Sequence, residues 1–245
     1  MKKLVCTLLV LAMLLSLCAC GSADKDNVSP QQSATSENTG EPKQKDEEKK
    51  SDTTQEFIDA INVETATEKG VCGADLTWYY LDNVLVIKGT GPMADYEAFV
   101  NNAPWDKKDL EDDIHWVLIE EGVTSIGNAA FDGAGGYELL SKIVLPSTLE
   151  TIGDSAFCSC RALSSITIPK NVVYIGDSAF WEKTITEIVI EGDAPEMCLD
   201  STGTALIGLP AENSERPQSE ITIYYSGSGF EPYIEACPGY SWVKK

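Results

Sequence analysis

Few residues in this chain could do chemistry, and their spacing argues against most reactions. The 245 residues include one histidine, His115, so a His-based catalytic triad or a histidine-rich zinc site has few possible members. The acidic residues within 109–113 could suggest calcium, but they lack both the Asp-x-Asp-x-Asp-Gly arrangement and the distal glutamate of an EF-hand loop. We interpret this charge run as a solvated surface edge.

Two glycine motifs also lack the context of a functional loop. The Gly-Thr-Gly-Pro-Met string at residues 89–93 has no dinucleotide-loop spacing, and Pro92 removes an amide that such a loop uses. The string at 227–229 is a broken Gly-x-Ser-x-Gly motif. No carboxylate pair stands out for glycoside hydrolysis, although any acidic protein offers candidates. We therefore expect no catalytic residue, no metal and no cofactor, and keep an unrecognised carboxylate enzyme as the least favoured alternative.

The charge balance excludes a further class of function. The chain has 39 acidic and 18 basic side chains, a formal net charge of −21. A surface of this sign repels phosphates, so nucleic-acid binding is not expected. Residues 57–245 hold 30 of the acidic and 11 of the basic side chains, so the acidity belongs to the folded part of the chain.

The N-terminus predicts export. Residues 1–3 carry two lysines, residues 4–17 are an apolar run, and Leu-Cys-Ala-Cys follows at 17–20. The run is shorter than the roughly 20 apolar residues that cross a membrane, which favours a signal peptide. Leu-Cys-Ala-Cys resembles the bacterial lipobox, which implies cleavage after residue 19 and a lipid on Cys20. Plain cleavage near Ala19 is the alternative.

Residues 20–56 are predicted to be a disordered spacer. After Cys20 this stretch has no aromatic residue and one large aliphatic residue, Val28, so it cannot bury enough apolar surface to fold. The mature protein is therefore expected to be tethered to the outside of the cell membrane by its lipid.

An internal repeat decides the fold. Eight apolar or small positions recur at a spacing of 23 residues, and of 26 where the glycine-rich segment 132–136 is inserted. The three copies are Ile114, Val117, Ile119, Val123, Ile126, Gly127, Ala130 and Phe131; Leu140, Ile143, Leu145, Leu149, Ile152, Gly153, Ala156 and Phe157; and Leu163, Ile166, Ile168, Val172, Ile175, Gly176, Ala179 and Phe180. Stacked units of this kind bury continuous columns, so Ile126, Ile152 and Ile175 and a ladder of Phe131, Phe157 and Phe180 should form the core.

The repeat unit resembles a known family. The pattern L-x-x-I-x-I-P-x-x-V-x-x-I-G-x-x-A-F at residues 163–180 is similar to the BspA-type leucine-rich repeat of bacterial surface proteins. The resemblance implies a right-handed solenoid with short parallel strands, of mainly β or α/β class, and a role in adhesion or interaction. The motifs at 72–78, 85–93 and 104–105 resemble the capping segment that precedes such repeats, and 221–225 with 240–242 resemble the closing segment.

These observations divide the chain into five parts. We predict a signal peptide at 1–19, a spacer at 20–56, an N-terminal cap at 57–113, leucine-rich repeats at 114–191 and a C-terminal cap at 192–245. Both ends of a solenoid need covering because they would expose apolar columns and open strand edges. In the N-terminal cap, residues 78–87 fit a hairpin that turns at Asp82-Asn83, with Leu76, Trp78 and Tyr80 against Val84 and Val86.

Five cysteines lie in the caps and repeats, at positions 72, 158, 160, 198 and 237, and an odd number cannot pair fully within one chain. Cys198 with Cys237 is the best disulfide candidate, because both lie in the closing segment and an exported protein permits the bond. Cys158 and Cys160 lack the two-residue gap and the second pair of a zinc site.

The alternate strand positions predict a binding face. Positions 117 and 119 point inward, so their neighbours point outward and stack into two columns. The outward residues are Trp116, Leu118, Lys142, Val144, Ser165, Thr167, Glu187 and Val189, and Trp181 is added as a large side chain without a role in the core. An aromatic and aliphatic patch of this kind marks a partner site. The alternative is that the N-terminal cap folds over Trp116 and Leu118.

The sequence therefore predicts a lipid-anchored, non-catalytic, monomeric surface protein that binds a protein or a cell-surface glycan. For the glycan alternative, Trp116, Trp181 and the tyrosine pairs would stack on sugars.

Overall fold

The computed structural model describes residues 55–97, 100–107, 110, 113–132, 137–181, 184–199, 209 and 217–245. The predicted signal peptide, Cys20 and almost all of the predicted spacer lie outside these residues. No helix in the described ranges has the length and apolar character needed to cross a membrane.

The described residues are dominated by short strands. Residues 55–60 form helix α1. The strands are β1 (Glu68–Val71), β2 (Asp75–Leu81), β3 (Val84–Pro92), β4 (Trp116–Ile119), β5 (Val123–Ile126), β6 (Lys142–Val144), β7 (Thr151–Ile152), β8 (Ser165–Ile168), β9 (Tyr174–Ile175), β10 (Glu187–Ile190), β11 (Glu196–Met197), β12 (Thr222–Tyr225) and β13 (Ser241–Lys244). Helix α2 is Glu231–Ala236, and Val63–Thr65 and Gln218–Glu220 are 3-10 helices.

An antiparallel unit of β1, β2 and β3 precedes the repeats. The β2–β3 turn is at Asp82 and Asn83, whose φ angles of 46° and 67° are those of a two-residue hairpin turn, as predicted. The predicted packing of Trp78 against Val84 and Val86 was wrong. Trp78 is the cross-strand partner of Ile87 and faces the main core with it, whereas Val84 and Val86 point to the opposite side of the strand.

The first strand of each repeat builds a parallel ribbon, called here the first ribbon. Its N-terminal part pairs β3 with β4 and β4 with β6, so that Leu85, Val117 and Ile143 are in register. Its C-terminal part runs from β8 through β10 and β12 to β13, and β6 lies against β8. One strand per repeat explains why the apolar positions recur with the length of the repeat.

A second parallel ribbon forms from the second strand of each repeat. The end of β3 pairs with β5, followed by β7, β9 and β11, with Ile126, Ile152 and Ile175 in register. Strand β3 therefore contributes to both ribbons. A buried proline, Pro146 or Pro169, follows the first strand of two repeats and separates the two strands.

The main core lies between the two ribbons. The core columns predicted from the repeat are at most 1% exposed: Ile126, Phe131, Ile152, Phe157, Ile175 and Phe180. The Phe131 and Phe157 ring centroids are 5.2 Å apart with planes 7° apart, and those of Phe157 and Phe180 are 5.6 Å and 11° apart. Trp105 extends this ladder, since it stacks on Phe131 and its Nε1 donates to the Ala130 carbonyl at 3.0 Å.

Asparagine and aspartate side chains fix the spacing of successive repeats at the second ribbon. The Asp95 carboxylate accepts a hydrogen bond from the Asn128 backbone amide at 2.9 Å. In the next repeat, the Asn128 side-chain oxygen accepts one from the Asp154 backbone amide at 2.8 Å. The Asp154 carboxylate in turn accepts one from the Asp177 backbone amide at 2.9 Å. These side chains occupy the space beside the repeat glycine. A Cβ added to Gly153 would lie 2.5 Å from the Asn128 side-chain oxygen and 2.7 Å from its backbone nitrogen.

Replacing Gly153 with alanine is therefore expected to destabilise the repeats by about 1–3 kcal/mol, the usual cost of overpacking. The added methyl group has to displace a backbone nitrogen as well as a side chain, so a change of rotamer does not relieve the clash. Chemical denaturation of Gly153→Ala and wild type measures the difference. Thr151→Ala, two residues away and pointing away from the core, is the control and should change the free energy of unfolding by about 0.5 kcal/mol or less. If Gly153→Ala, Thr151→Ala and wild type are equally stable, the close approach of Gly153 to Asn128 is contradicted.

Candidate partner-binding face

The outward side chains of the first ribbon form one surface, which we call the outward face. Cross-strand register aligns them in two columns within β3, β4 and β6 and again within β8, β10, β12 and β13, and the 23-residue spacing of the repeats continues both columns from β6 to β8, which lie in contact. The first column is Val84, Trp116, Lys142, Ser165, Glu187, Thr222 and Ser241, and the second is Val86, Leu118, Val144, Thr167, Val189, Tyr224 and Val243. The strand pattern of each repeat produces this arrangement because every second side chain points away from the core.

The N-terminal end of the outward face is covered by the chain itself. Val84, Val86 and Leu118 are 3%, 0% and 7% exposed, and residues 55–63 pack against them through Ile58, Ile61 and Val63. The Phe57 ring lies 4.7 Å from the Trp116 ring, which is half-buried. Trp116 and Leu118 are thus not an open surface in this conformation, because residues 55–63 lie over them. This agrees with the alternative in which a segment before the repeats covers these two side chains.

The outward face is open from Lys142 onward. Lys142, Thr167 and Glu187 are exposed, whereas Val144 and Val189 are half-buried. The second column presents aliphatic or β-branched side chains at these positions, and the first column presents polar or charged ones. A surface that mixes an apolar row with polar neighbours is typical of protein–protein contacts.

Two further strands contribute to the outward face that the sequence did not predict there. Strands β12 and β13 continue the ribbon, so Tyr224 and Val243 extend the second column, with Val243 37% exposed. Lys245 places its ammonium 4.1 Å from the centre of the Tyr224 ring. The available signal was the alternation in residues 221–225, which was assigned only to the closing segment.

Trp181 is not part of the outward face. It is 62% exposed and follows Phe180, in a turn outside the strands. Its carbonyl accepts from the Ser159 amide at 3.3 Å in the preceding repeat. The structure therefore separates Trp181 from the two columns with which the sequence grouped it.

Residues 230–236 pack against strands β12 and β13, the last two strands of the outward face. Phe230 of the loop before α2 is 1% exposed and packs against Tyr225 with ring centroids 4.6 Å apart. The Tyr233 hydroxyl of α2 accepts from the Met197 amide at 3.0 Å and donates to the Pro195 carbonyl at 3.2 Å. Helix α2 thereby ties strand β11 of the second ribbon to the segment that carries β12 and β13.

Five cysteines lie within the described residues, and none of the five is in a disulfide. Cys198 is not in a disulfide, so the predicted bond with Cys237 is not formed. The Cys198 thiol instead lies 3.7 Å from the Tyr174 hydroxyl, and this contact, followed by burial, raises the pKa of Tyr174. Burial raises the pKa of Cys72 to about 12, which keeps that thiol protonated and unreactive at neutral pH.

The perturbed carboxylates are spread over the molecule. Burial raises the pKa of Asp132, whereas the Ser147 amide lowers the pKa of Glu121 and the Ser228 amide lowers that of Asp193. The Ser228 hydroxyl of the Gly-Ser-Gly string donates to Asp193 at 2.8 Å.

The described residues contain no group of three potential metal ligands. Residues 109, 111 and 112 of the acidic run lie outside the described residues.

The repeat region is similar to a known protein family. Residues 111–198 match the family described as the BspA type leucine-rich repeat region, in six copies. Residues 111–198 are thus repeats of the BspA type. This confirms the resemblance noted from residues 163–180. The BspA-type repeats supply strands β4 to β11, whereas residues 55–63, β12 and β13 lie outside the matched range.

A solved structure is also similar to the chain. It is the crystal structure, at 2.50 Å resolution, of a leucine-rich repeat protein from Eubacterium ventriosum ATCC 27560. The two sequences are 27% identical, the TM-score is 0.42, and the match covers 51% of this chain and 38% of that chain. The matched part of that protein is thus less than half of its length. No curated protein matches the chain.

Proposed function

We propose that this protein is a non-catalytic surface protein that binds a macromolecular partner through the open part of its outward face. In this account the BspA-type repeats wind as a right-handed solenoid, with β1 to β3 as the N-terminal cap and β12 to β13 with α2 as the C-terminal cap. The antiparallel pairing of β1 to β3, which differs from the parallel ribbons that follow, supports the proposed N-terminal cap.

The open part of the outward face is the observation that carries this proposal. Thr167, Val189 and Tyr224 are cross-strand partners at the spacing of paired strands, about 4.8 Å, and Val144 precedes them on β6. These four residues, called here the open row, lie outside the main core. Val144, Val189 and Tyr224 are only half-buried, so part of their apolar surface stays in contact with water, as is typical of a partner site. Lys142 and Glu187 on the neighbouring column supply charges of both signs, which select among partners more than they add affinity.

A protein partner is favoured over a glycan. Sugar binding on a face of this kind uses exposed, coplanar aromatic rings, but the Trp116 ring is in contact with Phe57 at an interplanar angle of 57°. The exposed side chain of Trp181 supports a carbohydrate role at a separate place, in the turn after Phe180. Loss of glycan retention in Trp181→Ala, with retention kept in Val189→Asp, would identify that second function.

The proposed location is the outside of the cell membrane. The support is the lipobox-like Leu-Cys-Ala-Cys at 17–20 and the apolar run before it, which implies a diacylated Cys20. Two acyl chains anchor a protein stably, whereas one is marginal. The polar residues that follow, up to the helix that begins at residue 55, would hold the outward face away from the bilayer.

A site-specific cross-link tests the proposed function while the partner is unknown. The full chain is produced in cells with the photo-reactive residue p-benzoylphenylalanine in place of Val189. We expect irradiation to give a discrete adduct of higher mass, whose partner is identified by mass spectrometry. The control is the same residue in place of Val173, a valine that is 63% exposed outside the outward face, and it should give no such adduct.

A further inference from the structure

The segment that covers the outward face shows what kind of chain this surface accepts. Helix α1 presents Phe57 and Ile58, and Ile61 follows one turn later, so three apolar side chains lie on the same side of one short segment. They contact the surface formed by Val84, Val86, Leu118 and Trp116, which we call the apolar seat. The polar residues of α1, including Glu56 and Asp59, are exposed.

In the part of the chain that the structure describes, the contacts between residues 55–63 and the apolar seat are side-chain packing contacts. Within the described chain, their hydrogen bonds stay inside the segment and its 3-10 helix, as in the Ile61 amide to the Ile58 carbonyl at 3.1 Å. The first backbone bond to the sheet comes later, from the Thr67 amide to the Tyr80 carbonyl at 2.9 Å. Phe57 remains 41% exposed although it lies against Trp116. The segment is therefore weakly attached compared with the strands.

The apolar seat is continuous with the open part of the outward face. Val144 packs against the seat residues and is also the first residue of the open row, so an occupant of the seat can extend onto that row. Lys142 is the cross-strand partner of Trp116, which places a positive charge on the rung next to the seat. The segment that occupies the seat carries Glu56 and Asp59 on its exposed side, so acidic residues are accommodated there.

We propose that the apolar seat is a docking site for a short amphipathic helix that carries an aromatic and an aliphatic side chain on one face and acidic residues on the other. In the structure residues 55–63 occupy this site, and a partner's helix of the same chemistry displaces them and extends along the open row. This inference rests on the proposed function, because it specifies how the partner engages the outward face. Displacement is feasible because, among the described residues, the hydrogen bonds of the resident segment are made within residues 55–66 and not with the strands beneath it.

The test uses the full chain and a synthetic, fluorescein-labelled peptide of residues 55–66 as the probe. The wild-type protein should bind the peptide weakly, because a tethered segment competes at an effective concentration in the millimolar range. Phe57→Ser weakens the resident segment and is expected to increase peptide affinity at least tenfold, measured by fluorescence anisotropy. Ile58→Ser should have the same effect, and Val173→Ser should bind as wild type does.

A second peptide that contains the Phe57→Ser change should bind none of these proteins, which shows that the aromatic side chain makes the contact. The inference is overturned if wild type, Phe57→Ser and Ile58→Ser bind the peptide with equal affinity, or if none of the three binds it. The cross-link from position 189 reports independently on the proposed function. An adduct at position 189 together with unchanged peptide affinity of Phe57→Ser supports the proposed function and contradicts the docking site. No adduct at position 189 together with increased peptide affinity of Phe57→Ser contradicts the proposed function and supports the apolar seat as a helix-binding site.

Discussion

Replacing Ile152 with aspartate is expected to unfold the repeats. Ile152 is fully buried in β7, between Ile126 and Ile175 on the neighbouring strands of the second ribbon. Removing a buried isoleucine side chain costs about 2–5 kcal/mol, and burying an unpaired carboxylate adds several more. The sum is comparable with the total stability of a domain, about 5–15 kcal/mol. Circular dichroism should show no cooperative thermal transition, or one that is shifted far down.

The neighbouring residue provides the control for this prediction. Thr151 is on the same strand, half-buried on the side away from the core, so Thr151→Asp introduces the same charge at a position that water reaches. We expect its melting temperature to stay within a few degrees of wild type, as for other surface substitutions. A melting temperature of Ile152→Asp that equals that of Thr151→Asp contradicts the assignment of the buried column.

Replacing Cys20 with serine is expected to remove the membrane anchor of the protein. The thiol of Cys20 is the proposed attachment point of the lipid, and serine cannot form the thioether. Without acyl chains, residues 21–54 of the mature protein contain no apolar run that could replace the lost anchor. Cells labelled with radioactive palmitate should incorporate label into wild type and none into Cys20→Ser, whose mature chain should leave the membrane fraction.

Cys18→Ser is the matched control, since position 18 lies two residues earlier, within the part that cleavage removes. It should keep both the label and the membrane fraction of wild type. Label in Cys20→Ser, or its retention in membranes after high-salt washing, contradicts the proposed lipid attachment.

The repeats could be predicted from the sequence because one period imposes the same environment many times. Ile126, Ile152 and Ile175 recur at one position, and so do the phenylalanines at 131, 157 and 180, so each copy supports the assignment of the others. The turn at Asp82-Asn83 was predictable for a different reason. Asparagine and aspartate tolerate the positive φ angles that a two-residue hairpin turn requires.

Non-repeating contacts could not be predicted in this way. The periodic pattern shows that Trp116 and Leu118 point outward, but it contains nothing about the segment that covers them, which lies more than 50 residues earlier. The pairing of Cys198 was misjudged because proximity of two cysteines within a closing segment does not fix their geometry. Trp181 was grouped with the outward face by its size and variability alone, although its position after Phe180 places it in a turn.

The outward face is the central claim, and a cross-linking scan of the full chain in cells tests it most directly. The photo-reactive residue is placed in turn at 144, 167, 189 and 224 along the open row, and at 173 as the control outside the face. We predict adducts of one mass, with one partner, from the positions on the row and none from 173. Adducts of equal yield from 173, or none from any position on the row, would contradict the assignment of this surface as the partner-binding face.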